Sequence, residues 1–148
     1  MGCDRHPALL AGKTMVVLDA SVILKWLLDE EGSADALRIR DCHMRGEERI
    51  IVPSLLFYEV ANVIRYRTEL SDEEILNLLE ILKDLELSVV HLAFSEFEET
   101  ILYGRAKHIS VYDAAYVILA KNLGCELVTA DQQLGKAASE TWVKGLNG

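Results

Sequence analysis

Two kinds of apolar pattern alternate along the chain. Short β-branched or apolar runs at 15–18, 50–52, 87–90, 127–129 and 141–143 read as strands, each mostly apolar, as suits a strand covered on both faces. Longer stretches at about 21–28, 33–45, 55–68, 72–84, 95–107, 111–123 and 132–138 carry helical patterns. Strands alternating with helices are the signature of βαβ units and a parallel sheet, so the chain is assigned to the α/β class. Boundary signals agree. Ser71 with Glu74 and Ser95 with Glu98 each fit a capping box, Pro53 marks a break between strand and helix, and Gly124 fits a helix C′ stop. Residues 1–14 show no periodicity and are set apart as an N-terminal arm or added segment, leaving 15–148 as one domain.

A chain of 148 residues can bury roughly 70% of its unfolded surface, enough for a core without staples. Cys3, Cys42 and Cys125 form no CxxC pair and leave an odd thiol under any disulfide scheme, which fits a reducing, cytoplasmic compartment. No apolar run reaches the roughly 18 to 20 residues that span a bilayer, so no membrane placement is expected. The net charge of -9 excludes a protein that grips nucleic acid mainly through a broad basic face. It leaves room for nucleic-acid chemistry, because carboxylates loaded with divalent cations become locally attractive to phosphate. The scarcity of Asn and Gln hints weakly at a thermophilic source.

Most of the 24 acidic residues sit in charged clusters such as 29–31, 47–48, 72–74 and 96–99, and read as solvated faces. Four break the pattern. Glu59 lies in 55–64, where eight of ten residues are apolar, and Asp113 is the only charged residue in 111–120. Helices this apolar should be largely buried, and a carboxylate there is costly unless it is paired, hydrogen-bonded or bound to metal. Asp19 and Asp131 each follow a strand directly, at the edge where open parallel sheets bind ligands. Blander readings exist for each. Asp19 and Asp131 fit a helix cap or turn, Asp113 fits a capping box with Ser110, and Glu59 fits a buried ion pair with Arg65 or Arg105.

A carboxylate pocket without His or Cys selects hard cations, so Mg2+ or Mn2+ is the expected cofactor. The four histidines, His6, His43, His91 and His108, show no ligand spacing. Such ions activate water and stabilise charge on a phosphodiester, which makes hydrolytic phosphoryl transfer the reaction class. Ser21 and Thr129 flank the strand-end acids as candidate partners of metal-bound water, and Asn62 lies one turn after Glu59.

The ordered set Leu18-Asp19-Ala20-Ser21, Glu59 with Asn62, Tyr112-Asp113-Ala114-Ala115-Tyr116-Val117 and Thr129-Ala130-Asp131 resembles the motifs of PIN-domain ribonucleases, among them the VapC toxins of toxin-antitoxin pairs. The resemblance spans about residues 15–143. It implies a three-layer α/β/α domain with a five-stranded parallel sheet, in which the strand carrying Asp19 is central and neighbours the strand ending at Asp131. It further implies Mg2+- or Mn2+-dependent endonucleolytic cleavage of RNA, homodimerisation, and inhibition by a cognate antitoxin protein. By that likeness Asp19, Glu59, Asp113 and Asp131 hold the metal, supported by Ser21, Asn62 and Thr129. Gln132-Gln133 depart from the basic residue that many relatives place after the last acid.

Rival α/β phosphoryl-transfer classes fit poorly. A haloacid-dehalogenase-type phosphatase needs a second Asp two residues after the first, where this chain has Ser21. A response-regulator receiver needs an acceptor Asp ending a later strand, where Val52 leads into Pro53. The alternative outside enzymology is an inactive PIN-fold module that binds RNA or protein. Ile75, Leu78, Leu79 and Leu82 are expected to face the core, with a groove or dimer face as their other use.

Overall fold

The structure, a computed structural model, describes residues 14–28, 30 and 34–146. The expected arm lies outside the described residues except for Thr14, which opens the first strand. In chain order the elements are β1 (Thr14–Leu18), α1 (Ala20–Leu27), α2 (Ala34–Met44), β2 (Glu48–Pro53), α3 (Leu55–Arg65), α4 (Asp72–Asp84), β3 (Ser88–Val90), α5 (Phe94–Lys107), α6 (Val111–Leu123), β4 (Glu126–Thr129), α7 (Gln132–Ala138) and β5 (Val143–Gly145).

All five strands pair in parallel in the order β3-β2-β1-β4-β5. Val16, Val17 and Leu18 of β1 and Leu127 and Val128 of β4 are fully buried, which is why these strands read as unbroken apolar runs. From β1 the chain moves to β2 and then β3, whereas from β4 it moves the opposite way to β5. Right-handed crossovers then place α1 to α4 on one face and α5 to α7 on the other. The packing agrees: α1 touches α2, α3 and α4, while α5 packs on α6. The direction of travel therefore reverses between β1 and β4, and a crevice opens there at the carboxyl ends of the strands.

The ends of the elements refine several sequence expectations. Ser71 and Glu74 form the expected reciprocal capping box at α4, and Gly124 ends α6 at φ 69°. At α5, however, the cap is not Ser95 with Glu98. The helix starts one residue earlier, and Glu96 accepts a 2.8 Å hydrogen bond from the Ala93 N–H. β5 covers 143–145 rather than 141–143, because Ser139 turns left-handed at φ 52° and the Leu127 N–H donates its 2.8 Å bond to the Trp142 carbonyl. Glu48 does not belong to a solvated pair. It opens β2 opposite Thr14, is 1% exposed, and accepts from the Thr14 hydroxyl at 3.2 Å.

α6 is buried from Ala114 to Ala120, as its composition demands. α3 is only half buried: Leu56, Val60 and Ile64 face the core while Tyr58 and Val63 meet solvent. In α4 Leu82 is buried and Ile75 and Leu78 are half buried, but Leu79 is exposed beside Leu76 and Ile81. His43 is structural. Its Nδ1 accepts from the Ile50 N–H at 3.2 Å and its Nε2 lies 2.6 Å from the Leu85 carbonyl, so one ring joins α2, β2 and the end of α4.

A candidate carboxylate metal centre

The site begins with the register of the two central strands. Leu18 pairs with Val128, so Asp19 and Thr129 emerge side by side at the crevice. The Thr129 hydroxyl donates to Asp19 Oδ2 at 2.5 Å and accepts from the Asp131 N–H at 3.0 Å. Ser21 mirrors it, donating to Asp19 Oδ1 at 2.5 Å and accepting from the Ala130 N–H at 2.9 Å. Two hydroxyls thus tie the end of β1 to the end of β4 and hold Asp19 by both oxygens. Oδ2 keeps a lone pair for a further partner.

Asp19 and Asp131 are also helix caps, as the blander readings held. Asp19 accepts from the Ser21 N–H at 3.1 Å at the start of α1, and Asp131 accepts from Gln133 and Leu134 at 2.9 and 3.2 Å at the start of α7. A cap and a metal ligand are compatible uses of one carboxylate, since capping fixes its direction without consuming every lone pair.

Glu59 and Asp113 arrive from opposite faces of the sheet. α3 leaves the end of β2 and α6 runs back toward the start of β4, so the first turns of both helices lie above the same edge. The ion pair considered for Glu59 does not form. Instead Glu59 Oε1 accepts from the Tyr116 hydroxyl at 2.5 Å, which couples α3 to α6. Tyr116 was missed as a site residue, although a phenol in a fully buried helical run had to find a partner. At Asp113 the Ser110 hydroxyl accepts from the backbone N–H at 3.0 Å, the one-way half of the expected box.

Electrostatics joins the four acids into one unit. Burial pushes Asp19, Glu59 and Asp113 above the usual carboxylate range. Their neighbours add to it: Asp113 raises Asp19, Asp113 and Asp19 raise Glu59, and Asp131 raises Asp113. The Ser21, Thr129, Tyr116 and Ser110 hydroxyls act the other way by stabilising charge. Among the described residues, none of the four acids forms an ion pair with Lys or Arg. Mutual repulsion with no cationic side chain to relieve it is the condition that a divalent cation resolves.

The donor set therefore fits a hard cation: four carboxylates and two hydroxyls, with no His or Cys among them. The set is open. Among the described residues, no three of His, Cys, Asp or Glu stand grouped closely enough to hold an ion as placed. Asp131 is exposed, Glu59 and Asp113 are half buried, and Asp19 is 5% exposed, so the carboxylates grade from an anchored floor to a solvent rim. Asn62 is exposed and, among the described residues, makes no hydrogen bond to the acids.

Comparison with known proteins places this arrangement. The sequence profile of the PIN domain matches residues 16–140, and the chain belongs to that family. Within it the chain is similar to the ribonuclease VapC3 of Pyrobaculum aerophilum, 33% identical over 82% of this chain and 92% of that one. It is likewise similar to the ribonuclease VapC9 of Mycobacterium tuberculosis, 36% identical over 81% of this chain and 88% of that one. The fold is shared with the structure of VapBC2 from Rickettsia felis bound to a DNA fragment from its promoter, at a TM-score of 0.65, 13% identity, and coverage of 89% and 98%.

Proposed function

We propose that this chain is a Mg2+- or Mn2+-dependent endoribonuclease and the toxin of a VapBC-type pair, with Asp19, Glu59, Asp113 and Asp131 as metal ligands. The observation that carries the reading is the electrostatic coupling of four carboxylates at the β1/β4 crevice, without a cationic partner among the described residues. The similarity to VapC ribonucleases over most of both chains supports RNA as the substrate and an antitoxin protein as the partner. Action as a homodimer in the cytoplasm completes the proposal. Exposed apolar side chains on α5 (Phe94, Ile101, Leu102) and α4 (Leu76, Ile81) supply faces for protein partners. Among the described residues, no helix is long and apolar enough to cross a membrane.

In this mechanism the protein's task is placement. Asp19 is the rigid ligand, immobilised by Ser21 and Thr129 at the junction of two buried strands. The Tyr116 hydroxyl orients Glu59 and favours its charged form, opposing the larger upward push of burial. Asp113 and Asp131 close the rim from α6 and α7. A hard divalent cation held there supplies an activated water at neutral pH and neutralises charge on the phosphodiester. Asn62 stands one turn beyond Glu59 on the open side, where a strand of substrate would pass.

The test is cleavage of a panel of structured RNAs by the purified chain in Mg2+ or Mn2+, beside EDTA and Asp113→Asn controls. Metal-dependent cutting that falls to background in both controls is expected. No cutting with either ion, in a protein whose metal affinity is unchanged by Asp113→Asn, would sink the proposal. It would favour the inactive binding module.

A further inference from the structure

Tyr58, Asn62 and Tyr66 follow one another at four-residue intervals along α3, Tyr66 ending the helix. All are exposed, Tyr58 at 80% and Tyr66 at 67%. Residues four apart on a helix stand one above the other, so these side chains form a continuous stripe. Its start flanks Glu59, which follows Tyr58 directly. Tyr66, seven residues beyond Glu59, returns to within about 20° of it around the helix axis. The stripe therefore leads from the carboxylates to the far end of α3, about 10.5 Å away at 1.5 Å per residue.

The far end carries a cation. Arg65 sets its guanidinium carbon 4.9 Å from the centre of the Tyr66 ring, a cation–π contact that leaves Tyr66 largely open. Arg65 is exposed and, among the described residues, makes no ion pair, whereas Arg38, Arg40, Arg45 and Arg67 each meet a carboxylate. The large exposed side chains of α4 and α5 are hydrocarbon, such as Leu76, Ile81 and Leu102. This stripe instead offers phenols, an amide and a guanidinium. Ring faces receive nucleobases, and a stacked guanidinium adds charge for the phosphates between them. Continuity with Glu59 decides the occupant, because a strand with one phosphate at the acids must run on over a neighbouring element.

We infer that Tyr58, Asn62 and Tyr66, with Arg65 stacked on the last ring, form a platform that holds an unpaired RNA strand by its bases where it leaves the carboxylates along α3. The inference rests on the nuclease reading, since it places the strand relative to a phosphate at Glu59. At roughly 3.4 Å per nucleotide, Tyr66 meets the base about three nucleotides from that phosphate. Stacking suits a chain of net charge -9, because a ring face attracts a base without a broad basic surface. Bases inside a duplex are already stacked on their neighbours, so the platform favours unpaired strands. Its side chains hold the strand and touch none of the reacting atoms.

The experiment measures binding of a fluorescein-labelled, mixed-sequence single-stranded RNA decamer to the full chain in Ca2+, from low to moderate salt. Wild type is compared with Tyr66→Ala, Tyr66→Leu, Tyr66→Phe, Tyr58→Ala/Tyr66→Ala and Arg65→Gln. Loss of one stack should weaken binding about 5- to 150-fold, so Tyr66→Ala and Tyr66→Leu should fall alike while Tyr66→Phe holds. A stack releases no phosphate counterion, so the tyrosine variants should keep the log–log salt slope, whereas Arg65→Gln should lose about 0.7 of it. Cleavage in Mg2+ should show the double variant impaired mainly in KM. A double variant with wild-type affinity, while wild type binds and cuts, overturns the platform and leaves the nuclease reading standing. Unchanged affinity with an altered molar mass by light scattering also overturns it, in favour of a protein-contact face. Equal tyrosine dependence for a duplex of the same length overturns the commitment to an unpaired strand, and absence of binding by wild type at any salt overturns the whole. Tyrosine-dependent binding without cutting supports the platform and sinks the nuclease reading instead.

Discussion

Replacing Tyr116 by Phe isolates the contact that unites the two faces of the sheet at the site. The ring is almost fully buried and stays so in the variant, which loses one hydroxyl and its 2.5 Å bond to Glu59. A hydrogen bond to a charged group contributes about 1.5–3 kcal/mol. Glu59 is half buried and water recovers part of that, leaving about 1–2 kcal/mol. For a domain of this size, that is a fall in Tm of roughly 3–8 °C. The effect on metal should be larger than the effect on folding, because loss of an orienting outer-shell partner weakens metal affinity about 10- to 100-fold. Without the phenol, Glu59 also loses the main influence that holds its carboxyl down, so it rises further above its ordinary range. The assay is calorimetric titration of Mn2+ into wild type, Tyr116→Phe, Glu59→Gln and the double variant. The two substitutions should be strongly non-additive, since either one alone removes the pair. Unchanged Mn2+ affinity in Tyr116→Phe, or losses that simply add, would refute the role assigned to Tyr116.

Two further expectations follow from the same geometry. Asp19, Glu59 and Asp113 are raised first by burial and then by one another, so the metal-free fold binds more protons than the unfolded chain in the range just above the ordinary carboxylate pKa. This contribution is fully present below the unfolded values and is lost as pH rises through the folded ones. The EDTA-treated protein should therefore lose stability from this site as pH rises above the ordinary carboxylate range, about 4. Saturating Mg2+ at pH 7 should restore about 2.7 kcal/mol at 100 times Kd; thermal melts across pH with and without Mg2+ check this, and identical shifts in Asp113→Asn would contradict it. At Gly104, an added Cβ would sit 3.0 Å from the Ile109 carbonyl, where the loop into α6 crosses α5. Gly104→Ala should cost about 1–3 kcal/mol by urea denaturation despite better helix propensity, and a neutral or stabilising result would show that the loop yields freely.

Much of the molecule follows from the chain read locally. β1 and β4 are buried on both faces, so their residues are apolar throughout, and α6 is apolar all round because it is enclosed all round. The acids at 19, 59, 113 and 131 stand out for the same reason: charge interrupts runs that burial keeps apolar, or follows them directly at a strand end. The Ser71 box and Gly124 were legible because a cap is a bond among neighbours in sequence.

Whatever depended on distant partners was not. Glu48 looked like one of a solvated pair until β1 laid Thr14 opposite it. α3 looked enclosed until the fold left Tyr58 and Val63 in water. Glu59 had no assignable partner until α3 and α6 met above the sheet edge and brought it the phenol of Tyr116, 57 residues away. Ser21 and Thr129 read as partners of a metal-bound water, and a local pattern could not show that both also hold Asp19, Thr129 from 110 residues away. The sequence by itself determined the alternation of elements, the buried strands and the identity of the four acids, because burial writes composition directly into the chain. Only the tertiary structure decided which groups hold those acids and how openly they stand. Such facts arise from contacts between residues far apart in sequence, and a local pattern has no means of recording them.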